Sequence, residues 1–210
     1  MATVSALKNA PRKGEVSSVR LLEISANLFR EHGYASTTMR DIAEAAGMKA
    51  GSLYYHFQSK DEILDQVLER GIGEAIKGFE AAMASLPADA AFVPRLKAAV
   101  TAHLRTVHEY GTYTVASRQL LKQIPGDLHA KHTAMRQTYD GLWQGLMQQG
   151  HAEGVVKVAV DEGLVRLFML GSLNWTSEWV DPKKKSFNEL GAIAADLFLN
   201  GFAHATPAKG

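Results

Sequence analysis

The sequence predicts an all-α protein, with a small N-terminal three-helix unit followed by a larger helical bundle. Three observations carry this. Apolar residues recur at helical spacing along nearly all of the 210 residues. No clean period-two alternation marks a strand. Glycines, prolines and capping residues break the apolar pattern at intervals suited to helices.

Composition narrows the classes. An apolar fraction of 46% over this length supplies a substantial core and allows one or two domains. The absence of cysteine excludes disulfides, thiolate metal sites and cysteine nucleophiles. The opening "MATVSALKNAPRKGEVSS" lacks the apolar run of a signal peptide. Every long apolar run is interrupted by Glu, Lys or Gly, so no membrane span is expected and a soluble cytoplasmic protein is. The net charge of +1 argues against a broadly basic coat and leaves room for a local basic patch.

The elements follow in order. Residues 1–15 read as a flexible polar tail carrying Arg12 and Lys13. A first helix runs from about Val16 to His32, with Val19, Leu22, Ala26 and Phe29 on one face, and Gly33 stops it. A second opens at Thr37 or Thr38. Thr38 and Asp41 have capping-box spacing, and Gly47 ends the helix. A third, short helix covers Ala50 to Phe57. Ser59 with Glu62 marks another capping box, opening a long helix through Ile63, Leu64, Val67, Leu68, Ile72, Ile76 and Phe79. After the loop "SLPADAAFVP", helices are expected over about 92–109, 112–123, 127–151, 160–179 and 186–203. The division is a tail over 1–15, a unit over 16–66 and a bundle over 67–210.

The stretch "MKAGSLYYHFQSKDEI", Met48 to Ile63, points to function. On a helical wheel Ala50, Leu53 and Phe57 gather on one side and pack inward. Gly51, Ser52 and Tyr55 face the other way, flanked by Tyr54 and His56. A core segment hides its rings, whereas this one displays them. Two helices joined by a tight turn at Gly47 make a helix-turn-helix, whose second helix enters the DNA major groove. Small residues at its front allow close approach to base edges, and tyrosine hydroxyls donate to phosphates. Lys60 sits in the first turn of the next helix, where its charge opposes the helix dipole. A phosphate there satisfies both the lysine and the free N–H groups. The competing reading, rings belonging to a core, fits each feature singly and fits their order less well.

In that order the residues from "LLEISANLFREHGYASTTMRDIAEAAGMKAGSLYYHFQSKDEILDQVL" resemble the DNA-binding domain of the TetR family of transcriptional regulators. The matching pieces are Phe29, Gly33-Tyr34 and Thr37-Thr38; Asp41-Ile42-Ala43 and Ala46-Gly47; Gly51 to Phe57; and Ser59 to Glu62. The match runs without a gap over roughly 17–68. The resemblance implies a homodimer on a palindromic double-stranded operator, usually acting as a repressor. It implies phosphate contact at Thr37 or Thr38. It places Arg40, Lys49, Gly51 and Ser52 nearest the bases, with Tyr54, Tyr55, His56 and Lys60 on the DNA backbone. Arg12 and Lys13 either add contacts or stay solvated. Residues 1–64 carry eight Lys/Arg against seven Asp/Glu, so grip must come from placement and be moderately salt-dependent.

The resemblance also assigns the larger half to ligand binding and dimerisation, with the last two helices pairing against their symmetry mates. The expected dimer face is Leu164, Phe168, Gly171, Leu190, Ile193, Leu197 and Phe198. An ordinary monomer core is the alternative for those helices. Polar groups within an apolar bundle orient small molecules. The residues expected there are His103, Tyr110, Tyr113, Arg118, Gln119, Trp143, Asn174 and Trp175. "LGSLNWTSEW" is similar to members that answer acyl-CoA or other lipid-like compounds, so an apolar or acyl-CoA-like effector is expected.

An enzyme reading finds no support. His129 and His132 have HxxH spacing without an intervening Glu or a clear third ligand, so no metal is expected. No GxSxG, P-loop or GxGxxG is present, and no cofactor is expected. The remaining alternative is a helix-turn-helix architectural factor or activator without an effector, which a pocket too small for any ligand would favour.

Overall fold

Two apolar cores share one long helix. The computed structural model describes residues 17–120, 124, 126–156 and 161–200, and every regular element among them is helical. Helix α1 (Ser18–His32) starts where the Ser17 side chain accepts the Arg20 N–H. It ends at Gly33, whose N–H donates to the Phe29 carbonyl. Leu21, Leu22, Ala26 and Phe29 are buried, whereas Val19 is exposed. Helix α2 (Met39–Ala45) carries a complete capping box between Thr38 and Asp41. Gly47, at φ 68°, turns the chain after it, and the Met48 N–H reaches back to the Ala43 carbonyl at 2.9 Å.

Helix α3 (Ala50–Leu53) is shorter than its apolar pattern suggests, and Tyr54 to His56 continue as a turn. Leu53 and Phe57 are buried as expected, each stabilising the unit by about 1.5–3 kcal/mol. Ala50, expected to pack inward, is exposed because it opens the helix at the rim of the turn. Helix α4 (Lys60–Ala84) then runs for 25 residues. Its capping box is half-formed. Ser59 accepts the Glu62 N–H, but the Glu62 carboxylate takes the N–H of Gln58 rather than that of Ser59.

The first core joins Leu21, Phe29, Ile42, Leu53, Phe57 and the front half of α4, Ile63 to Leu68. Helix α6 (Gly111–Leu120) also enters it, through Tyr113, Ala116 and Leu120. Sequence position had assigned α6 to the larger bundle. It approaches α4 so closely that a Cβ on Gly71 would lie 2.6 Å from the Tyr113 carbonyl oxygen. The expected boundary at 66/67 lies inside α4.

The second core takes the rear of α4 (Ile72, Ala75, Phe79) and packs it with four helices. These are α5 (Phe92–Glu109), α7 (Gly126–Ala152), α8 (Glu162–Trp175) and α9 (Phe187–Asn200). Trp143 is fully buried here, with its ring edge-on to Phe79 at 5.4 Å. A 3₁₀ turn (Thr176–Glu178) follows α8. No described helix is long and apolar enough to cross a membrane.

Candidate nucleic-acid interface and effector cavity

The outward face of the helix-turn-helix is built from side chains with little else to do. Tyr55 is 91% exposed and Tyr54 is 54% exposed. His56, Lys49 and Arg40 are exposed, Ser52 is half-buried, and a Cβ on Gly51 would meet nothing within 4 Å. Leu53 and Phe57 hold this ridge from beneath, so the rings stand outward on a fixed base. Thr38 is exposed beside it. Hydrogen bonds from the Thr38 backbone N–H and hydroxyl hold the Asp41 carboxyl below its usual pKa.

Two expected DNA contacts sit elsewhere. Thr37 is buried and donates its hydroxyl to the Gly33 carbonyl at 2.8 Å, so Thr38 is the threonine left facing outward. Lys60 turns back on the protein. Its ammonium donates to the carbonyls of Tyr34 and Thr37, each at 2.8 Å, and lies 4.2 Å from the Tyr34 ring centroid. This answers the unfavourable dipole at its position internally and leaves one N–H of the three. The Tyr34 hydroxyl in turn donates to Asp61, closing the joint between α1 and α4. Arg12 and Lys13 lie outside the described residues.

A partly open cavity of about 110 Å³ lies where α6 meets the larger bundle, between α4, α5, α6, α7 and α8. Its apolar wall includes Ile72, Ala75, Val107 and Leu170, and its polar wall includes His103, Arg136, Tyr139 and Asn174. The Tyr139 hydroxyl and His103 Nδ1 are 2.7 Å apart, with the rings stacked. Burial raises the Tyr139 pKa above the ordinary phenol value.

A joint ties the cavity helices to the head. On α7, Lys131 donates to Asp65 of α4 at 2.7 Å and to Glu69 at 3.1 Å. Buried His132 meets the same Asp65 oxygen at 2.8 Å. Burial pushes the His132 pKa down against the pull of Asp65. Burial also raises the Asp65 pKa, but hydrogen bonds from Lys131 and His132 outweigh it and hold the carboxyl low. The HxxH pair is thus spent on structure: His132 faces Asp65, and His129 lies by Thr133. No cluster of three metal-ligating side chains forms among the described residues.

Residues 21–67 match the family model described as bacterial regulatory proteins, tetR family, and residues 89–202 match the tetracyclin repressor-like C-terminal domain. The chain belongs to the TetR family of transcriptional regulators. It is 30% identical over 173 residues to the HTH-type transcriptional repressor KstR2 of Mycobacterium tuberculosis, covering 80% of this chain and 84% of that one. It is 21% identical over 185 residues to the fatty acid metabolism regulator protein of Bacillus subtilis, covering 87% and 94%. The solved structure of the ketosteroid transcriptional regulator KstR2 of M. tuberculosis superposes with a TM-score of 0.76 at 25% identity, covering 91% and 98%. TetR proteins are DNA-binding regulators and not enzymes.

Within this TetR scaffold the expected effector residues scatter. His103 and Asn174 line the cavity. Tyr113 instead lies in the core of the DNA-binding head, its hydroxyl donating to the Val19 carbonyl, and burial pushes its pKa up to about 12. Tyr110 packs against that same core. Trp143 fills the bundle core without lining the cavity, and Trp175 is 66% exposed on α8. The side chains of Arg118 and Gln119 lie outside the described residues. Arg136 and Tyr139 were missed because polar residues surround α7 and do not mark an inward face. Their i, i+3 spacing was the available signal.

The expected dimer face divides similarly. Leu164, Phe168, Gly171, Ile193 and Leu197 are exposed on α8 and α9, with Phe168 at 72%. Leu190 is buried in the subunit's own core, and Phe198 packs against that core half-buried. Each points down the inner side of α9, a direction that helical spacing alone leaves open.

Proposed function

We propose that the chain is a homodimeric repressor that binds a palindromic operator and is released by a small apolar or acyl-bearing effector. The observation that carries the DNA reading is the exposed ridge from Lys49 to His56, rigidly backed by Leu53 and Phe57. Arg40, Lys49, Gly51 and Ser52 face base edges in this reading. Thr38, Tyr54, Tyr55 and His56 fix the frame on phosphates. Lys60 acts mainly as an internal clamp, with one remaining N–H toward DNA.

Dimerisation is supported by the exposed apolar residues Leu164, Phe168, Ile193 and Leu197 on α8 and α9. Two heads then present their ridges to half-sites about one DNA turn or a multiple of it apart. The bundle is the effector module, and the relatives named for ketosteroid and fatty acid regulation support an apolar or acyl-bearing compound. A ligand weakens DNA binding only by its preference between two arrangements of α4. Arg136 and Tyr139 on α7 share a helix with the Lys131–His132 joint to Asp65, which gives such a preference a route to the head.

The volume of this one cavity favours a second reading, a TetR-type regulator without an effector. About 110 Å³ is below the roughly 300–1,000 Å³ usual for ligand pockets. Binding of the purified protein to the intergenic DNA beside its gene, at two salt concentrations and with a panel of acyl compounds, separates the readings. Specific binding at one symmetric site, released by one compound, is expected. Specific binding that nothing releases selects the second reading. No site preference at that locus, followed by none in a genome-wide binding search, overturns both.

A further inference from the structure

One cation in the cavity wall keeps a buried N–H that no hydrogen bond satisfies among the described residues. The Arg136 Nε is buried and makes no hydrogen bond among the described residues. The other buried arginine Nε without such a bond, that of Arg70, belongs to a guanidinium lying within 5.7 Å of the Tyr110 and Tyr113 ring centroids. Arg136 has no comparable ring among the described residues. Asp140, one turn along the same helix, lines the cavity too and its charge acts on Arg136, but its direct ion pair is with Arg166 of α8. Burial lowers the Arg136 pKa, and the nearby Asp140 charge offsets this only in part. Beside it stand the Asn174 amide and the apolar Ile72, Ala75 and Leu170.

From this geometry we infer that the cavity takes a compact organic carboxylate, its acid group paired with Arg136 and its hydrocarbon part against Ile72, Ala75 and Leu170. The inference rests on the effector-controlled reading above and specifies the effector's chemistry. A guanidinium offers two parallel N–H donors to a carboxylate, a match that an alcohol or a thioester carbonyl lacks. The volume sets the size of the part that fits inside: about 110 Å³ accepts a short chain or one ring, and the bulk of a CoA group would lie outside it.

The test is calorimetric titration of the full chain with hexanoate and benzoate. Hexan-1-ol, benzyl alcohol and hexanoyl-CoA serve as matched probes, with Arg136→Gln and Arg136→Lys as variants. The expected result is that at least one acid binds the wild type about tenfold or more tighter than its alcohol. Arg136→Gln should weaken that acid by about tenfold to a hundredfold, and Arg136→Lys should restore part of the loss. If Arg136→Gln fails to fold, the comparison of acid with alcohol in the wild type decides alone. Equal binding of acid and alcohol, or no binding of either acid, overturns the inference. Operator release is measured separately. An acid bound through Arg136 without releasing DNA supports the site and removes the effector-release reading. Release by hexanoyl-CoA with no acid binding overturns the carboxylate and leaves that reading in place.

Discussion

Adding one methyl group to α4 should have opposite effects at two positions two residues apart. At Gly71 a new Cβ would lie 2.6 Å from the Tyr113 carbonyl oxygen and 3.0 Å from the Ser117 Cβ. Ordinary contact begins near 3.4 Å, so α4 and α6 must part by about 0.8 Å. The nearest obstacle is backbone, which cannot rotate aside. Overpacking of this kind costs about 1–3 kcal/mol. Alanine returns about 0.8–1.0 kcal/mol of helix propensity. Gly71→Ala should therefore lose about 1 kcal/mol, lowering Tm by about 2–4 °C for a chain of this size. At Gly73 the same methyl would meet only the flexible Met135 Cε at 3.8 Å. Gly73→Ala should gain up to about 1 kcal/mol. Urea denaturation of the two variants, at one protein concentration, reads the difference. Equal or inverted effects would refute the close α4–α6 approach and the placement of α6 in the head.

Other outcomes follow from the same contacts. Lys60→Met leaves the Tyr34 and Thr37 carbonyls without their donor and should cost about 2 kcal/mol in chemical denaturation; an unchanged midpoint would return Lys60 to a purely DNA-facing role. Tyr55→Phe should weaken operator binding by up to about tenfold while leaving Tm unchanged, because the ring is 91% exposed; a lower Tm would mean the ring supports the fold. Buried His132 has its pKa lowered from 6.5, so its stabilisation is present above about pH 6.5 and declines as pH falls below it. Denaturation midpoints from pH 7.5 to 5 should show this slope, and His132→Gln should flatten it; the same slope in the variant would clear His132. Phe168→Asp should give a monomer by sedimentation that no longer binds the operator, and a dimer would move the interface off α8.

The head was legible in the sequence because its signals are local. Thr38 and Asp41 cap the helix they open, Gly47 turns the chain where a positive φ is needed, and the displayed rings are contiguous. The cavity was not, because its wall is drawn from five helices far apart in the chain. His103 and Asn174 were found as polar residues in apolar surroundings. The same criterion also picked Tyr113, which lies in the head core, and Trp175, which is exposed on α8, since spacing does not tell which neighbour an amphipathic face meets. The internal bonds of Lys60 were not legible for a related reason. A charge at a helix start signals an unmet need, and a backbone carbonyl meets it as well as a phosphate does.

The position of α6 bears on how regulators of this kind can be recombined. Tyr113, Ala116 and Leu120 complete the core of a head that lies some fifty residues earlier in the chain. Functional modules and folding modules therefore do not coincide. A hybrid made by exchanging heads at residue 66 would set these three side chains against a surface not selected to receive them. A workable graft has to carry α6, or at least its inward face, along with the residues that touch DNA.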